Sequence, residues 1–333
     1  MRSKMLAAIG AALLATTLAQ PAEAAVGHWE ANLLALPAGH PDATGWVRGT
    51  DSHGGYAGHL VLDGHGTVVT WSKGQPTVHP QPTGFESTAV ADENSAGTVL
   101  CDSVGAASEH QLFLLGRDGG YQGLAQPTEW PLVTAVALNE RGDVVGNASN
   151  WSGESVVLVW HAADRAHPVE ITGLPSLSAT DIDDDGTVLL NSYPHSVLWR
   201  DGEFQELTTL PGQPYTFAQA IRNGQVTGNS AEFAGGPGQA AVWRTPTEPA
   251  ALPSSHAAFG INRYGLIVGY DTSATPLAAW LGTRSMGSLP PAPGFTQAWA
   301  KAVGDDGTIA GVVSNSEPTT NGGRPVVWRY SLP

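Results

Sequence analysis

Cysteine is almost missing from this chain of 333 residues. Cys101 is the single one, so no disulfide can form within the chain and stability must come from packing. Because Cys101 ends an apolar stretch at 99–101, we expect a buried, inert thiol, with a catalytic nucleophile as the alternative.

Charged residues are also scarce, at 14% of the chain, and sustained helical periodicity is absent after the N-terminal segment. The 41 glycines and 24 prolines are instead typical of many short strands joined by turns. The formal net charge of −15 argues against nucleic acid, because phosphate binding requires clustered Lys and Arg, and equally against an anionic membrane surface. We expect a soluble, exported monomer.

The common catalytic and metal-binding motifs are missing as well. The sequence has no H-E-x-x-H, no C-x-x-C, no glycine-rich phosphate loop and no G-x-S-x-G with a credible triad. His53, His59 and His65 recur at regular intervals, which leaves zinc open, although residues on a strand, a turn and a second strand need not face one another. The catalytic residues stay unknown.

The sequence is rich in one repeated unit. Residues 133–146 (VTAVALNERGDVVG) have the pattern of a strand, a tight turn and a second strand. Asn139 can bond its own backbone in the turn, and Gly142 is free to take positive φ. Related stretches lie at 47–58, 90–100, 181–190, 220–228, 260–269 and 302–311. The spacing of roughly 38 to 45 residues is the period of four-stranded propeller blades.

Two further marks recur along the chain. The first is an apolar run that ends in tryptophan, at Trp71, Trp160, Trp199, Trp243, Trp280 and Trp328. We expect these indoles to pack between neighbouring blades, with a sugar-binding ring of tryptophans as the alternative. The second is a Leu-Pro pair that ends the fourth strand, because proline is tolerated at an outer edge. In the third repeat, the predicted strands are 133–138, 143–148, 156–160 and 169–174.

The sequence therefore predicts an all-β fold, a β-propeller with seven four-stranded blades. Blades cannot bury their faces alone, so 25–333 should form a single domain. The repeats are expected near 45–86, 87–132, 133–177, 178–216, 217–256, 257–296 and 297–333.

The last repeat stops without room for a fourth strand, and 29–37 looks like a spare one. We expect this N-terminal strand, centred on 32–36, to pair antiparallel with 326–328 and so to close the ring. Leu34 and Leu36 would share one face of the strand, and Leu33 would point the other way.

One acidic segment resembles a metal site. Residues 181–186 match the first half of a calcium loop, D-x-D-x-D-G, with Asp181, Asp183 and Asp185 as candidate ligands. The twelfth position is Ser192, where a bidentate Glu would complete the shell, and the segment coincides with the repeated turn. We therefore favour an acid-rich hairpin without a metal or other cofactor, with calcium as the alternative.

The repeats resemble the HAF-type extracellular repeats of secreted bacterial proteins. Residues 260–269 (GINRYGLIVG) and 137–146 (ALNERGDVVG) carry this resemblance. It implies a propeller-like array and an extracellular location in a bacterium, and it brings no catalytic residues with it.

The polar connections at 148–155, 230–238 and 313–323 should cluster on one rim of the ring, where loops on a rigid frame usually carry function. We favour a secreted, non-catalytic binding or interaction module for an extracellular glycan or a protein surface. The alternative is an extracellular hydrolase or lyase with its site at the mouth of the central channel.

The first 24 residues are predicted to be a signal peptide. Arg2 and Lys4 precede an apolar run at 5–19, and 22–24 (AEA) is a cleavage signal. A membrane anchor is the alternative, but the run is short for a span. We expect the mature protein to begin near Ala25, which N-terminal sequencing of protein from the culture medium would show. Exported protein that retains 1–24 would contradict this.

Overall fold

The computed structural model describes residues 27–236, 238–272, 277–316 and 322–332. Over these residues the secondary structure consists of strands alone. The strands are β1 (His28–Leu33), β2 (Gly45–Thr50), β3 (Tyr56–Leu62), β4 (His65–Ser72), β5 (Gln75–Val78), β6 (Ser87–Glu93), β7 (Val99–Val104), β8 (His110–Leu115), β9 (Tyr121–Gly123), β10 (Leu132–Leu138), β11 (Val144–Ser149), β12 (Ser155–His161), β13 (Asp164–Ile171), β14 (Ser178–Ile182), β15 (Val188–Ser192), β16 (His195–Arg200), β17 (Glu203–Glu206), β18 (Tyr215–Arg222), β19 (Gln225–Ala231), β20 (Gly238–Trp243), β21 (Pro249–Ala251), β22 (Ser255–Ile261), β23 (Leu266–Asp271), β24 (Leu277–Leu281), β25 (Arg284–Leu289), β26 (Gln297–Val303), β27 (Ile309–Ser314) and β28 (Arg324–Ser331).

The strands form seven antiparallel four-stranded sheets, which are the blades of a ring. Blades 1 to 6 take four consecutive strands each, from β2–β5 to β22–β25, and blade 7 combines β26, β27, β28 and β1. The first strand of each blade, strand a, is innermost, since the a strands of neighbouring blades contact one another. Strands b, c and d follow outward. The predicted seven-bladed propeller is confirmed.

The N-terminal strand closes the ring, as predicted. Strand β1 pairs antiparallel with β28, with Ala31 opposite Trp328 and Leu33 opposite Val326. The predicted position of the strand, 32–36, was wrong, because the strand lies earlier and ends at Leu33. The chain then turns at Pro37, whose carbonyl accepts the N–H of His40 at 3.1 Å.

The repeated tryptophans are buried between neighbouring blades, which confirms their predicted role. In five blades the indole N–H also donates to a backbone carbonyl in the connection that leads into the same blade. The pairs are Trp71 with Ala35, Trp160 with Ala125, Trp243 with Thr208, Trp280 with Pro253 and Trp328 with Pro290, at 2.6 to 3.1 Å. The indole therefore fixes each blade to the chain that arrives from the previous one.

The repeated turn between strands a and b also joins neighbouring blades. The side-chain oxygen of Asn139 accepts the N–H groups of Arg141 and Asp143 in its own turn, as the sequence predicted. Its Nδ2 donates to the carbonyl of Asp183 in the next blade at 2.9 Å. Asn94 donates in the same way to the carbonyl of Asn139 at 3.1 Å. The asparagine therefore recurs because it closes its own turn and also binds the corresponding turn of the next blade.

Three of the four strands predicted in blade 3 agree with β10, β11 and β12 to within one residue at each end. The prediction of 169–174 for the fourth was wrong, because β13 begins at Asp164, directly after a tight turn from His161. Much of β13 is exposed, so its outward residues carry no hydrophobic pattern that a sequence could reveal.

The signal peptide predicted at 1–24 lies outside the described residues. Within the ranges that are described, no helix is long and apolar enough to cross a membrane. The secreted location therefore stays a prediction from the sequence.

The closing strand offers a matched pair of substitutions. Leu34, just past β1, is 5% exposed in the core beside blade 1, whereas Leu33 is 41% exposed. We expect Leu34→Ala to lower the free energy of unfolding by about 2–5 kcal/mol, since it removes buried methyl groups and leaves a cavity. Leu33→Ala should change it by no more than about 0.5 kcal/mol. Urea unfolding measures both, and equal losses would contradict this account of the closure.

Candidate functional site

Every innermost strand carries a β-bulge at the same place. In each blade the pairing of strands a and b shifts by one residue, so that one residue of strand a is left without a partner. All seven of these bulge residues line the central channel: Arg48, Ala91, Val136, Thr180, Gln219, Phe259 and Lys301. The bulge is therefore the device by which each blade presents one side chain to the channel.

Polar side chains of neighbouring blades support the bulges. The N–H of the residue before the bulge is bound by a strand b side chain from the previous blade: Nδ1 of His59 accepts from Val90 at 3.1 Å, and the side-chain oxygen of Asn147 accepts from Ala179 at 2.8 Å. Burial, and then the charge of Arg48, lower the pKa of His59 to about 4, so the ring stays neutral and can accept.

The larger bulge residues are all on one side of the ring. Arg48, Gln219, Phe259 and Lys301 belong to blades 1, 5, 6 and 7, whereas blades 2 to 4 contribute Ala, Val and Thr. Blades 7 and 1 are neighbours in the ring, so the two cationic residues come from adjacent strands. The bulge residues consequently give the channel a cationic and aromatic wall on one side and a wall of small side chains on the other.

An open cavity of about 370 Å³ lies at one mouth of the channel. It is lined by the bulge residues of blades 1, 5, 6 and 7 together with the aromatic rings of Trp46, Tyr270 and Trp299. The guanidinium carbon of Arg48 lies 4.6 Å from the ring centroid of Trp46, a cation–π contact. Phe259 and Tyr270 meet edge to face, with centroids 4.8 Å apart. We call this cavity the mouth site.

The predicted loop rim and the mouth site are at the same end of the ring. In an antiparallel blade, strand a begins at the end where strand b passes into strand c, and Trp46 and Trp299 lie near the beginnings of β2 and β26. The b–c connection of blade 7 contacts the strand that carries Trp46, because Gly323 and Gly45 exchange backbone hydrogen bonds at 2.9 Å. Its residues 317–321 lie outside the described residues.

A smaller cavity of about 70 Å³, which we call the inner cavity, lies deeper in the channel and shares Arg48, Phe259 and Lys301 with the mouth site. Its acidic residues are tied to neighbouring blades. Asp92 accepts the N–H of Leu138 at 2.9 Å, and Asp181 accepts the N–H of Ile221 at 2.8 Å. These carboxylates therefore join blade 2 to blade 3 and blade 4 to blade 5.

A buried arginine balances these carboxylates. Arg222 lines the inner cavity and donates from Nη1 to the carbonyl of Ile182 at 3.2 Å. Burial opposes its charge, but the carboxylates of Asp181 and then Asp92 outweigh that effect and raise the pKa of Arg222. Burial raises the pKa of Asp92 to about 6, in spite of Arg222. The charged side chains of the inner cavity thus balance one another and form a structural network.

Glu93 is the exception in this network. Its side chain is buried, at 9% exposure, and its Oε2 has no hydrogen-bond partner among the described residues. A β-carbon at Gly49 would overlap this side chain, so the neighbouring strand leaves room for Glu93 only because position 49 is a glycine. Burial, followed by the charges of Asp51 and Asp92, raises the pKa of Glu93 to about 8.

The three aspartates of the calcium-like loop point to different partners. Asp181 faces the channel and binds Ile221, Asp183 accepts the N–H of Asn223 in the next blade at 2.8 Å, and Asp185 pairs with an arginine on β16. Over the described part of the chain, no three His, Cys, Asp or Glu side chains are grouped so that they could hold a metal ion. Each aspartate thus has a structural use in the turn, and a metal-free hairpin stays our prediction.

Other candidates from the sequence lie away from the mouth site. Cys101 is fully buried in β7, and burial raises the pKa of its thiol, which agrees with the expected inert role. His53 bonds within an exposed turn, and His65 is exposed at the start of β4, so neither meets His59. Sequence reasoning missed Arg48 and Lys301. An alignment of the seven repeats could have shown them, since both occupy the bulge position of strand a.

Comparisons with known proteins identify the fold. No family model and no curated protein matches the chain. Among solved structures, it is similar to an oligogalacturonate lyase in complex with manganese, with a TM-score of 0.63, 13% identity, and coverage of 92% of this chain and 97% of that one. An oligogalacturonate lyase from Vibrio parahaemolyticus gives 0.60, 11%, 92% and 97%, and a streptogramin B lyase gives 0.57, 11%, 92% and 98%. At such identities the likeness shows a shared propeller fold.

The buried carboxyl group of Glu93 leads to a pH-dependent prediction. Its pKa is raised in the folded chain from the ordinary 4.5 to about 8, so the unfolded chain ionises first and the folded state loses stability as the pH rises through that window. Below the window both states are protonated, and above it the loss is constant. As the pH rises from about 4.5 to about 8, we expect the free energy of unfolding of Glu93→Gln to increase by a few kcal/mol relative to that of the natural chain.

Urea unfolding across this pH range measures the difference. Glu203→Gln, on the exposed strand β17, is the matched control and should show no such trend. A constant difference between Glu93→Gln and the natural chain would contradict the burial of an uncharged Glu93.

Proposed function

We propose that the mouth site binds an extracellular acidic oligosaccharide, with a sugar ring against the aromatic side chains and its carboxylate on Arg48 and Lys301. The observation that carries this proposal is the pair of unpaired cations beside aromatic rings in one open cavity. The sequence alone favoured a non-catalytic binding or interaction module for a glycan or a protein surface, and the lining of the mouth site supports the glycan.

The two cations are free to take an anionic ligand. The arginine–carboxylate ion pairs of the described residues belong to Arg117, Arg141, Arg200 and Arg263. Within the described part of the chain, Arg48 and Lys301 have no such carboxylate partner, and burial lowers the pKa of Arg48. An arginine can bind a carboxylate through two parallel hydrogen bonds, which are stronger than bonds between neutral groups. A carboxylate ligand would reach both cations from the open end of the channel, whereas Asp92 and Asp181 of the inner cavity are bound to backbone N–H groups of neighbouring blades.

The shape of the mouth site favours a sugar ring as the ligand. Trp46 and Trp299 are only partly buried, so their faces are accessible from the open end of the channel. Tryptophan has an apolar face and a polar N–H, which suits a sugar with an apolar ring face and polar edges. The volume of about 370 Å³ falls within the roughly 300–1,000 Å³ typical of small-molecule sites.

A lyase acting on the same ligand class is the second candidate. Solved propellers that resemble nearly the whole chain include two oligogalacturonate lyases, and oligogalacturonate is an acidic oligosaccharide. One of these was in complex with manganese. The described residues do not group three metal-binding side chains, so we derive no step through a metal.

The elimination needs only proton transfers. A base removes the proton from the ring carbon that bears the carboxylate, and the electron pair of that C–H bond forms a double bond to the next ring carbon. The C–O bond on that next carbon breaks, and the leaving oxygen takes a proton. Arg48 would neutralise the carboxylate and so acidify that proton. Tyr270 and Lys301 are the groups of the mouth site that can exchange protons.

We expect Arg48→Gln and Lys301→Gln each to weaken binding of galacturonate oligomers by roughly 10- to 100-fold, the value of a charge-assisted hydrogen bond of about 1.5–3 kcal/mol. Titration calorimetry measures the affinity, with neutral galactose oligomers as the ligand control. Arg244→Gln and Lys73→Gln are the matched protein controls, because both residues are exposed at the opposite end of the ring.

Equal binding of neutral and acidic oligomers, or unchanged affinity in both mouth variants, would overturn the proposal. The ultraviolet absorbance of unsaturated sugar ends decides between the two candidates. Its growth over time with the natural chain, but not with Tyr270→Phe, would establish elimination, whereas tight binding without it would establish a binding module.

A further inference from the structure

Exposed aromatic side chains gather at the end of the ring that carries the mouth site. Trp151, Tyr193 and Phe233 are 79%, 55% and 56% exposed. They lie on the b–c connections of blades 3, 4 and 5, between β11 and β12, β15 and β16, and β19 and β20. Three consecutive blades therefore each present a largely exposed aromatic side chain to solvent at the same end of the propeller.

A row of side chains connects this rim to the mouth site. The rings of Tyr193 and Tyr215 lie 5.8 Å apart, and Tyr215 is the first residue of β18. Phe217 follows two residues later and is 37% exposed. Gln219, two residues further along the same strand, is the bulge residue that lines the mouth site. The exposed aromatics of blades 4 and 5 thus continue directly into the proposed ligand site.

We infer that Trp151, Tyr193, Tyr215, Phe217 and Phe233, the rim platform, bind a glycan chain that extends outward from the mouth site. This inference rests on the proposed function, because the mouth site supplies the fixed end of the chain. The ligand is then a polysaccharide or a long oligosaccharide, of which the mouth site holds only the acidic ring.

The surroundings of these rings suit sugar more than protein. Trp151 stands between Asn150 and Ser152, and the ring of Phe233 lies over the backbone at Gly236, where an added β-carbon would come within 2.9 Å of it. The ring contact recorded within the rim platform joins Tyr193 and Tyr215, with centroids 5.8 Å apart, whereas a protein interface needs a continuous apolar centre. Exposed aromatic faces beside polar groups match the alternating apolar and hydroxyl surfaces of a sugar chain.

The loop that carries Trp151 is already ordered for binding. The side-chain oxygen of Asn150 accepts the N–H groups of Ser152 and Glu154, both at 3.0 Å, and its Nδ2 donates to the Glu154 carboxylate at 2.6 Å. These bonds close a tight turn that holds the indole outward. A loop whose backbone is fixed before binding loses little conformational entropy when a ligand stacks on the side chain that it carries.

The charges of the rim platform limit the sugars that it can accept. Glu154 lies three residues after Trp151, and Glu232 precedes Phe233, and both carboxylates are exposed. They would repel a second uronate near either ring, while the cations lie at the mouth site. The arrangement therefore favours a chain in which acidic and neutral sugars alternate over a chain of uronates alone.

The test compares long and short ligands. Affinity gel electrophoresis measures binding of two alternating acidic polysaccharides, hyaluronan and rhamnogalacturonan, beside polygalacturonate and neutral dextran. Calorimetry measures galacturonate oligomers. We expect the triple variant W151A/Y193A/F233A to lose tenfold or more in affinity for the alternating polymer that binds best, and to keep its affinity for the oligomers. Tyr264→Ala is the matched control, since Tyr264 is 66% exposed on an a–b turn at the opposite end.

Several outcomes would overturn the inference. These are binding of none of the alternating polymers, equal polymer binding by the triple variant and the natural chain, or an equal loss in Tyr264→Ala. A change of oligomeric state in the triple variant, measured by light scattering, would assign the rim platform to a protein interface instead. Failure of the oligomers to bind, with polymer binding still dependent on the platform, would refute the mouth site and leave the platform standing.

Discussion

The β-bulge on each innermost strand is the constraint on which the channel of this protein depends. A regular strand would keep every residue in its ladder and pack its side chains between blades. One extra residue per strand frees seven side chains to face the channel, and it leaves backbone N–H groups that the previous blade must satisfy. Ring geometry and candidate site thus arise from the same local irregularity, since His59 and Asn147 support bulges whose free residues form the channel wall.

Much of the fold follows from the sequence because its signals are local and repeated. A turn such as 139–142 and an apolar run that ends in Trp160 both act within a few residues, and each recurs in blade after blade. The outermost strands are harder to predict. In β13 and β1 one side meets solvent, so the alternation of hydrophobic and polar residues does not mark where the strand begins.

The mouth site was beyond reach for a different reason. Arg48 and Lys301 come from opposite ends of the chain, and only the closure of the ring makes their strands neighbours. Neither has a sequence neighbour that marks it as functional, and Lys301 is one of just three lysines. The acidic run at 181–185 shows the converse, because its dense local pattern suggested a metal site, whereas Asp181 and Asp183 bond to the backbone of the next blade.

The closure of blade 7 also bears on the order in which the protein can assemble. Strand β1 precedes the other described strands in the chain, yet its partner β28 follows all of them. The six blades between them can form as each is completed, because their contacts are local, but the ring stays open until β28 has been made. Joining strands so distant in sequence is slow, since the chain entropy is lost before the contacts form. An unclosed ring is thus a natural intermediate, with its two end blades open to chaperones or to unwanted strand pairing in the meantime.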